Sequence, residues 1–147
     1  MIGHVVRVAG VVAALAAITT GVTACVEAPT SPAGVVPFTQ TDLVVGTGTE
    51  AATGSVVTVN YTGWFYSSGA VENKGPQFDT SAGNTPFTFT LGGGQVIAGW
   101  DLGLPGMKVG GKRRLIIPPS YGYGSVRSGV IPQYATLVFD IELLSVE

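Results

Sequence analysis

Gly94-Gln95-Val96-Ile97-Ala98-Gly99-Trp100, entered through Gly92 and Gly93, decides how the rest of the chain must be arranged. The glycines break the chain before it and Pro105 bounds it behind. The phase of Val96, Ile97 and Trp100 predicts a short helical turn, from Gln95 to about Leu102, with large apolar side chains on adjacent faces. A turn this short does not stand alone in water, so other segments must cover it. Tyr61, Phe78, Phe87, Phe89, Tyr123 and Phe139 supply aromatic rings from both sides of it in the sequence. Either they bury Trp100 outright or they leave it as the floor of a cup. Periodicity alone leaves both open.

The flanking segments read as strands. Val57, Val59 and Tyr61 alternate with Thr58, Asn60 and Thr62 inside a long candidate from Ser55 to Tyr66. Ser67 to Gly75 is polar and reads as a loop, and Phe78 to Ser81 as an extended piece. Phe87, Phe89 and Leu91 alternate with threonines after Pro86, which suits the first position of a strand. Strand phase puts Phe89 deeper than Phe87, so Phe89 is expected in the core. Lys112 to Ile117 is a strand that stops at Pro118-Pro119, and Tyr121 to Pro132 is a glycine- and serine-containing loop. In Ala135 to Val146, Leu137, Phe139, Ile141 and Leu143 face one side while Thr136, Asp140 and Glu142 face the other. The expected fold is α+β: a five- to six-stranded antiparallel sheet wrapped around one short helix.

The N-terminus has a different composition. In residues 1–24, His4 and Arg7 precede an apolar run from Val8 to Ile18 and then small residues, the order of a secretory signal. The run falls short of the roughly 20 residues of a spanning helix. Val22-Thr23-Ala24-Cys25 resembles a bacterial lipobox, in which the cysteine becomes the lipidated first residue; Cys25 is the only cysteine in the chain. Residues 25–41 then read as a lipidated N-terminus and flexible linker rich in Pro, Thr, Ser, Ala and Gly, and residues 42–147 as the folded domain. The expected location is outside the cytoplasmic membrane on a lipid anchor, or secreted if Cys25 is not lipidated.

Without the signal the chain carries six basic residues against nine acidic ones, near −3. This argues against a nucleic-acid partner, whose recognition rests on basic patches. Lys112-Arg113-Arg114 is the only basic cluster and reads as solvated surface. Nothing points to an oligomer, and a monomer is expected.

Residue types narrow the chemistry further. His4 is the only histidine and lies in the expected signal, while Cys25 is expected to be blocked by lipidation. The domain therefore has no imidazole and no thiol. Serine–histidine and cysteine–histidine triads are excluded, as are zinc sites built on those side chains. The glycines lack a dinucleotide fingerprint or a P-loop lysine. No metal and no cofactor is expected. Asp140 and Glu142 lie on the polar face of their strand, and Asp101 on the expected outer side of the helix. Only Asp79, beside Phe78, is a carboxylate out of place among apolar residues. An apolar, aromatic site with one carboxylate and some tyrosine hydroxyls can run few reactions. Rotation about an X–Pro amide is one of them, because no bond to a heavy atom is made and no proton must move.

Several motifs, in order, resemble the FKBP-type peptidyl-prolyl cis-trans isomerases, the macrolide-binding immunophilins. They are Val59-Asn60-Tyr61-Thr62-Gly63, Gln77-Phe78-Asp79-Thr80-Ser81, Pro86-Phe87-Thr88-Phe89, Val96-Ile97-Ala98-Gly99-Trp100, Gly106 to Arg113, Tyr121-Gly122-Tyr123-Gly124 and Ala135 to Asp140. The resemblance spans roughly residues 42–147. It implies that Trp100 is the floor under a proline ring, with Tyr61, Phe87, Val96, Ile97 and Phe139 as walls and Phe78 and Asp79 at the mouth. It implies that Tyr123 donates its hydroxyl, and Ile97 its backbone N–H, to substrate carbonyls, with Val130 and Ile131 as a flap. Tyr121 reads as structural, and Trp64 as packing or surface. The partners implied are proline-containing polypeptides, exported here, and macrolide inhibitors. The chain departs from the family in a longer stretch between Gly63 and Phe78. It also departs in a flap, Gly124 to Gly129, that is one residue shorter and carries Arg127 with no histidine. A proline-binding or chaperone module without turnover is the alternative on the same fold; the retained set Tyr61, Asp79, Trp100, Tyr123 and Phe139 favours the enzyme.

Overall fold

The structure, a computed structural model, describes residues 35–147. The expected signal segment 1–24, Cys25 and the expected linker up to residue 34 lie outside the described residues. The elements in chain order are β1 (Thr39–Val44), β2 (Val56–Tyr66), β3 (Lys74–Thr80), β4 (Phe87–Thr90), α1 (Ala98–Gly103), β5 (Lys112–Ile117) and β6 (Leu137–Val146). The strands form one 6-stranded sheet in the order β1-β5-β6-β2-β3, with β4 also on β2. Every pairing is antiparallel. β3 takes the Thr62–Tyr66 half of one edge of β2, and β4 takes the Val56–Val59 half.

Period-two alternation explains this arrangement. Val57 and Val59 of β2, Leu115 and Ile117 of β5, and Leu137, Ile141 and Leu143 of β6 point to one face and are fully or almost fully buried there. α1 closes that face. It lies close to β5: an added Cβ at Gly99 would meet Ile117 at 2.7 Å, and one at Gly103 would meet Leu115 at 2.7 Å. Glycines one turn apart are what lets the helix settle onto the sheet with Trp100 pointing into the remaining space.

The structure differs from the sequence expectations in particular places. α1 begins at Ala98, so Val96 and Ile97 are not on it; Ile97 caps it with an extended backbone (φ −61°, ψ 151°). The cause is local bonding. The Asp101 carboxylate accepts the N–H of Gly92 (2.8 Å) and Gly94 (3.2 Å), and Gln95 Oε1 accepts that of Thr90 (2.8 Å). The glycine turn is thus bonded back onto the helix and does not continue it. β1 starts at Thr39, inside the stretch 25–41 read as linker, because an edge strand exposed along its whole length shows no alternation. β3 starts at Lys74, within the expected loop, after a short 3-10 turn over Val71–Asn73.

The basic cluster is solvated only at Lys112, which is exposed; Arg113 and Arg114 are covered. Arg113 is 7% exposed; it donates Nε to Asp42 (2.6 Å) and Nη1 to the carbonyls of Gly103 (2.8 Å) and Pro105 (3.2 Å) at the end of α1. Arg114 forks onto Asp140 (2.7 and 2.9 Å), and Lys74 adds a third contact at 2.8 Å. Asp140 is on the outer face of β6, as alternation requires, yet it is 8% exposed because those partners cover it.

Candidate active site

β2, β6 and α1 leave a hollow between sheet and helix, a cavity of about 390 Å³. Tyr61 from β2, Phe78 and Asp79 from β3, Phe87 from β4, Val96 and Ile97 before α1, Trp100 on it, Tyr123, Val130 and Ile131 from the loop after β5, and Phe139 from β6 all line it. The structure brings together every residue that the sequence reading placed there. It adds Gln95, Ser128 and Gly129. Gln95 neighbours Val96 in the opening stretch and Ser128-Gly129 lie in the flap stretch, so adjacency alone could have found them.

Trp100 answers the first question of the sequence. Its indole is 5% exposed and borders the cavity, with the rings of Tyr61 (5.1 Å, 73°) and Phe139 (5.3 Å, 90°) standing on edge to it. Phe89 supports it at 5.7 Å from within the core, 3% exposed as strand phase required, and stacks on the half-open Phe87 at 5.4 Å. Edge-to-face contacts place positive ring edges against negative faces and hold the indole in one orientation. The Trp100 Nε1–H is buried and has no acceptor among the described residues. Phe78 stands edge-on to Phe139 at 5.6 Å. Gly63 makes that possible, since a Cβ there would lie 2.7 Å from each ring.

Polar atoms are few, and those of Tyr61 and Asp79 are held. Tyr61 donates its hydroxyl to Asp79 Oδ2 at 2.7 Å, and Asp79 Oδ1 accepts the Thr80 N–H at 2.8 Å. Both carboxylate oxygens are thereby oriented. The Tyr61 backbone is fixed by Ser81: its N–H donates to Ser81 Oγ (2.8 Å), which also contacts Asn60 Oδ1 (3.0 Å). Burial, then the hydrogen bond and charge of Asp79, push the Tyr61 hydroxyl up to about 12. Burial and the Asp79 charge also push Tyr123 up. Both phenols are neutral donors at physiological pH. The Tyr123 hydroxyl and the Ile97 N–H meet no acceptor among the described residues. The flap is a tight loop, with Ser128 and Ile131 exchanging backbone bonds of 3.0 and 2.8 Å, and Tyr134 N–H closing its base on Gly124 O at 2.7 Å. Ile131 points inward, buried, while Val130 is 67% exposed at the rim.

The remaining aromatics are elsewhere. Tyr121 packs on Phe38 at 5.2 Å, and Trp64 lies on the opposite face of the sheet under Lys74 Nζ at 4.2 Å. Among the described residues no group of three or more His, Cys, Asp or Glu could hold a metal ion.

Comparison with known proteins agrees with this geometry. The family model described as FKBP-type peptidyl-prolyl cis-trans isomerase matches residues 47–144. An FK506-binding protein of Neisseria meningitidis serogroup B is 53% identical over 107 residues, covering 71% of this chain and 92% of that protein. FK506-binding protein 1 of Gibberella zeae is 46% identical over 105 residues, 71% and 93% of the two chains. Among solved structures, AtFKBP13 superposes with a TM-score of 0.62 at 40% identity, covering 74% of this chain and 91% of the other. FkpA from Escherichia coli gives 0.63 at 37%, covering 79% and 53%. With a family model matching most of its length, and relatives more than 45% identical along nearly their whole chains, this protein belongs to the FKBP-type peptidyl-prolyl cis-trans isomerases.

Proposed function

We propose that the cup over Trp100 is the catalytic centre and that it turns X–Pro amides of exported polypeptides, assisting their folding. The observation that carries this is the floor: a buried indole walled by Tyr61 and Phe139 at 5.1 and 5.3 Å, open on the cavity side. A proline ring laid there leaves water. Resonance in the C–N bond sets a barrier of about 18–20 kcal/mol. The planar amide is more charge-separated than the twisted one, so a dry aromatic cup disfavours the ground state more than the transition state, which is differential binding. The Tyr123 hydroxyl and the Ile97 N–H hold substrate carbonyls, and Asp79, oriented by Tyr61, positions polar groups at the mouth. An acceleration of about 10⁴–10⁶ needs about 5–8 kcal/mol, within reach of these terms. The same cup would take a macrolide in competition with peptide.

The test is the isomerisation rate of an X–Pro peptide panel with the purified protein. Acceleration that a macrolide abolishes is expected; a rate equal to background would leave a proline-binding module without turnover. On location, the proposal is export and lipidation at Cys25, with the monomer held outside the membrane. It is supported by the order of charged, apolar and small residues before the single cysteine. A fatty-acid analogue should label the wild type and not Cys25→Ala; equal labelling would remove the anchor.

A further inference from the structure

The residues lining the cavity include one formal charge, Asp79. That carboxylate is exposed at the mouth, and among the described residues no cation lies within ion-pair distance of it. Its partners, the Tyr61 hydroxyl and the Thr80 N–H, are neutral. The charges on the surrounding elements do not compensate it. Lys74, at the start of the same strand, is turned to the far face and bound to Asp140 and Glu72, and Arg114 is held there by the same acids. Asp101 on α1 is itself acidic and engaged with the glycine turn. Arg127 is exposed on the flap and does not line the cavity.

We infer that Asp79 makes this isomerase charge-selective: client segments with Lys or Arg next to the proline are favoured over segments with Asp or Glu there. The inference rests on the reading of the cup as the proline site. With a proline ring on Trp100, adjacent residues lie within about 4–7 Å along an extended chain, which brings their side chains to the mouth. An unpaired carboxylate beside apolar, low-dielectric walls attracts a cationic side chain and repels an anionic one more strongly than it would in bulk water. Screening at the mouth is by salt, with a Debye length of about 30 Å at 0.01 M and 3 Å at 1 M.

The experiment is kcat/KM for the full-length protein on matched peptides with Lys, Leu, Gln or Glu before proline, at 10 mM and 1 M salt. The expected Lys-to-Glu ratio is about three- to tenfold at low salt and near one at high salt. Asp79→Asn should lower overall activity and bring the low-salt ratio to one. Arg127→Gln should leave the ratio above one. If Asp79→Asn is too slow to assay, the same ratio is read from peptide affinities by tryptophan fluorescence. A ratio of one at low salt, a preference for Glu, or a ratio that survives Asp79→Asn overturns the inference. No acceleration of the Leu peptide would overturn the proline-site reading instead, so the two failures are distinct.

Discussion

The two faces of the sheet are made by the same strands and bury opposite chemistry. On the inner face β2 and β6 present Tyr61 and Phe139 to Trp100. One residue along, on the outer face, β6 presents Asp140 to Arg114 and Lys74, beside Trp64. The inner face takes up surface by excluding polar groups, and its one mouth carboxylate is left without a counter-ion. The outer face buries a carboxylate only by surrounding it with cations, one of them bidentate, which is what a desolvated charge requires. The inner face can therefore receive a ligand, since its interactions are incomplete. The outer face is already satisfied.

Substitutions can break this contrast. Trp100→Ala, on the inner face, should lower kcat/KM by about 100-fold or more and stability by about 3–5 kcal/mol; urea melts of the same sample separate the two effects. Asp79→Asn should cut turnover less. Equal activity of Trp100→Ala and wild type would remove the indole as floor. Asp140→Asn, on the outer face, should destabilise by about 3 kcal/mol, because Arg114 and Lys74 lose their buried counter-ion and keep only the exposed Glu72, while kcat/KM at 25 °C stays within about twofold. A larger loss of turnover would show that the two faces are coupled.

Gly63→Ala sharpens the comparison at the point where the inner wall is tightest. Its Cβ would displace Phe78 or Phe139, and we expect a cost of about 1–3 kcal/mol together with a rise in KM, measured on a Leu–Pro peptide. The smallest effect concerns pH. Tyr61 is neutral in the folded state up to about 12, whereas an unfolded tyrosine ionises near 10.0. A raised pKa contributes stability that is fully present below 10 and is lost as pH rises toward 12. Thermal melts should therefore fall over that window, with a smaller fall in Tyr61→Phe. Identical curves for the two proteins would mean that Asp79 and burial do not act on this hydroxyl.

The inner face was legible in the sequence and much of the outer face was not. Alternation marks Val57, Val59, Phe139 and Ile141 locally, and short motifs carry Tyr61, Phe78, Asp79 and Trp100 to one place. The partners of Arg113 and Arg114 are remote: Asp42 lies 71 positions from Arg113, and Asp140 26 from Arg114. A run of basic residues looks the same whether water or distant acids surround it. Val96 and Ile97 depart from a helix for a related reason. Their spacing suits a helix, but the side chains of Asp101 and Gln95 hold the preceding backbone in another path.

The position of β6 has a consequence in time. It is the last of the six strands to be synthesised, yet it lies between β5 and β2 in the middle of the sheet. Until Leu137–Val146 has emerged, β2 with its two small partners and β5 with β1 are separate pieces with no common edge to join. A sheet whose centre depends on contacts between distant parts of the chain forms slowly. The sheet therefore cannot close before β6 has emerged, and the cup over Trp100, which takes Phe139 from that strand, assembles only then.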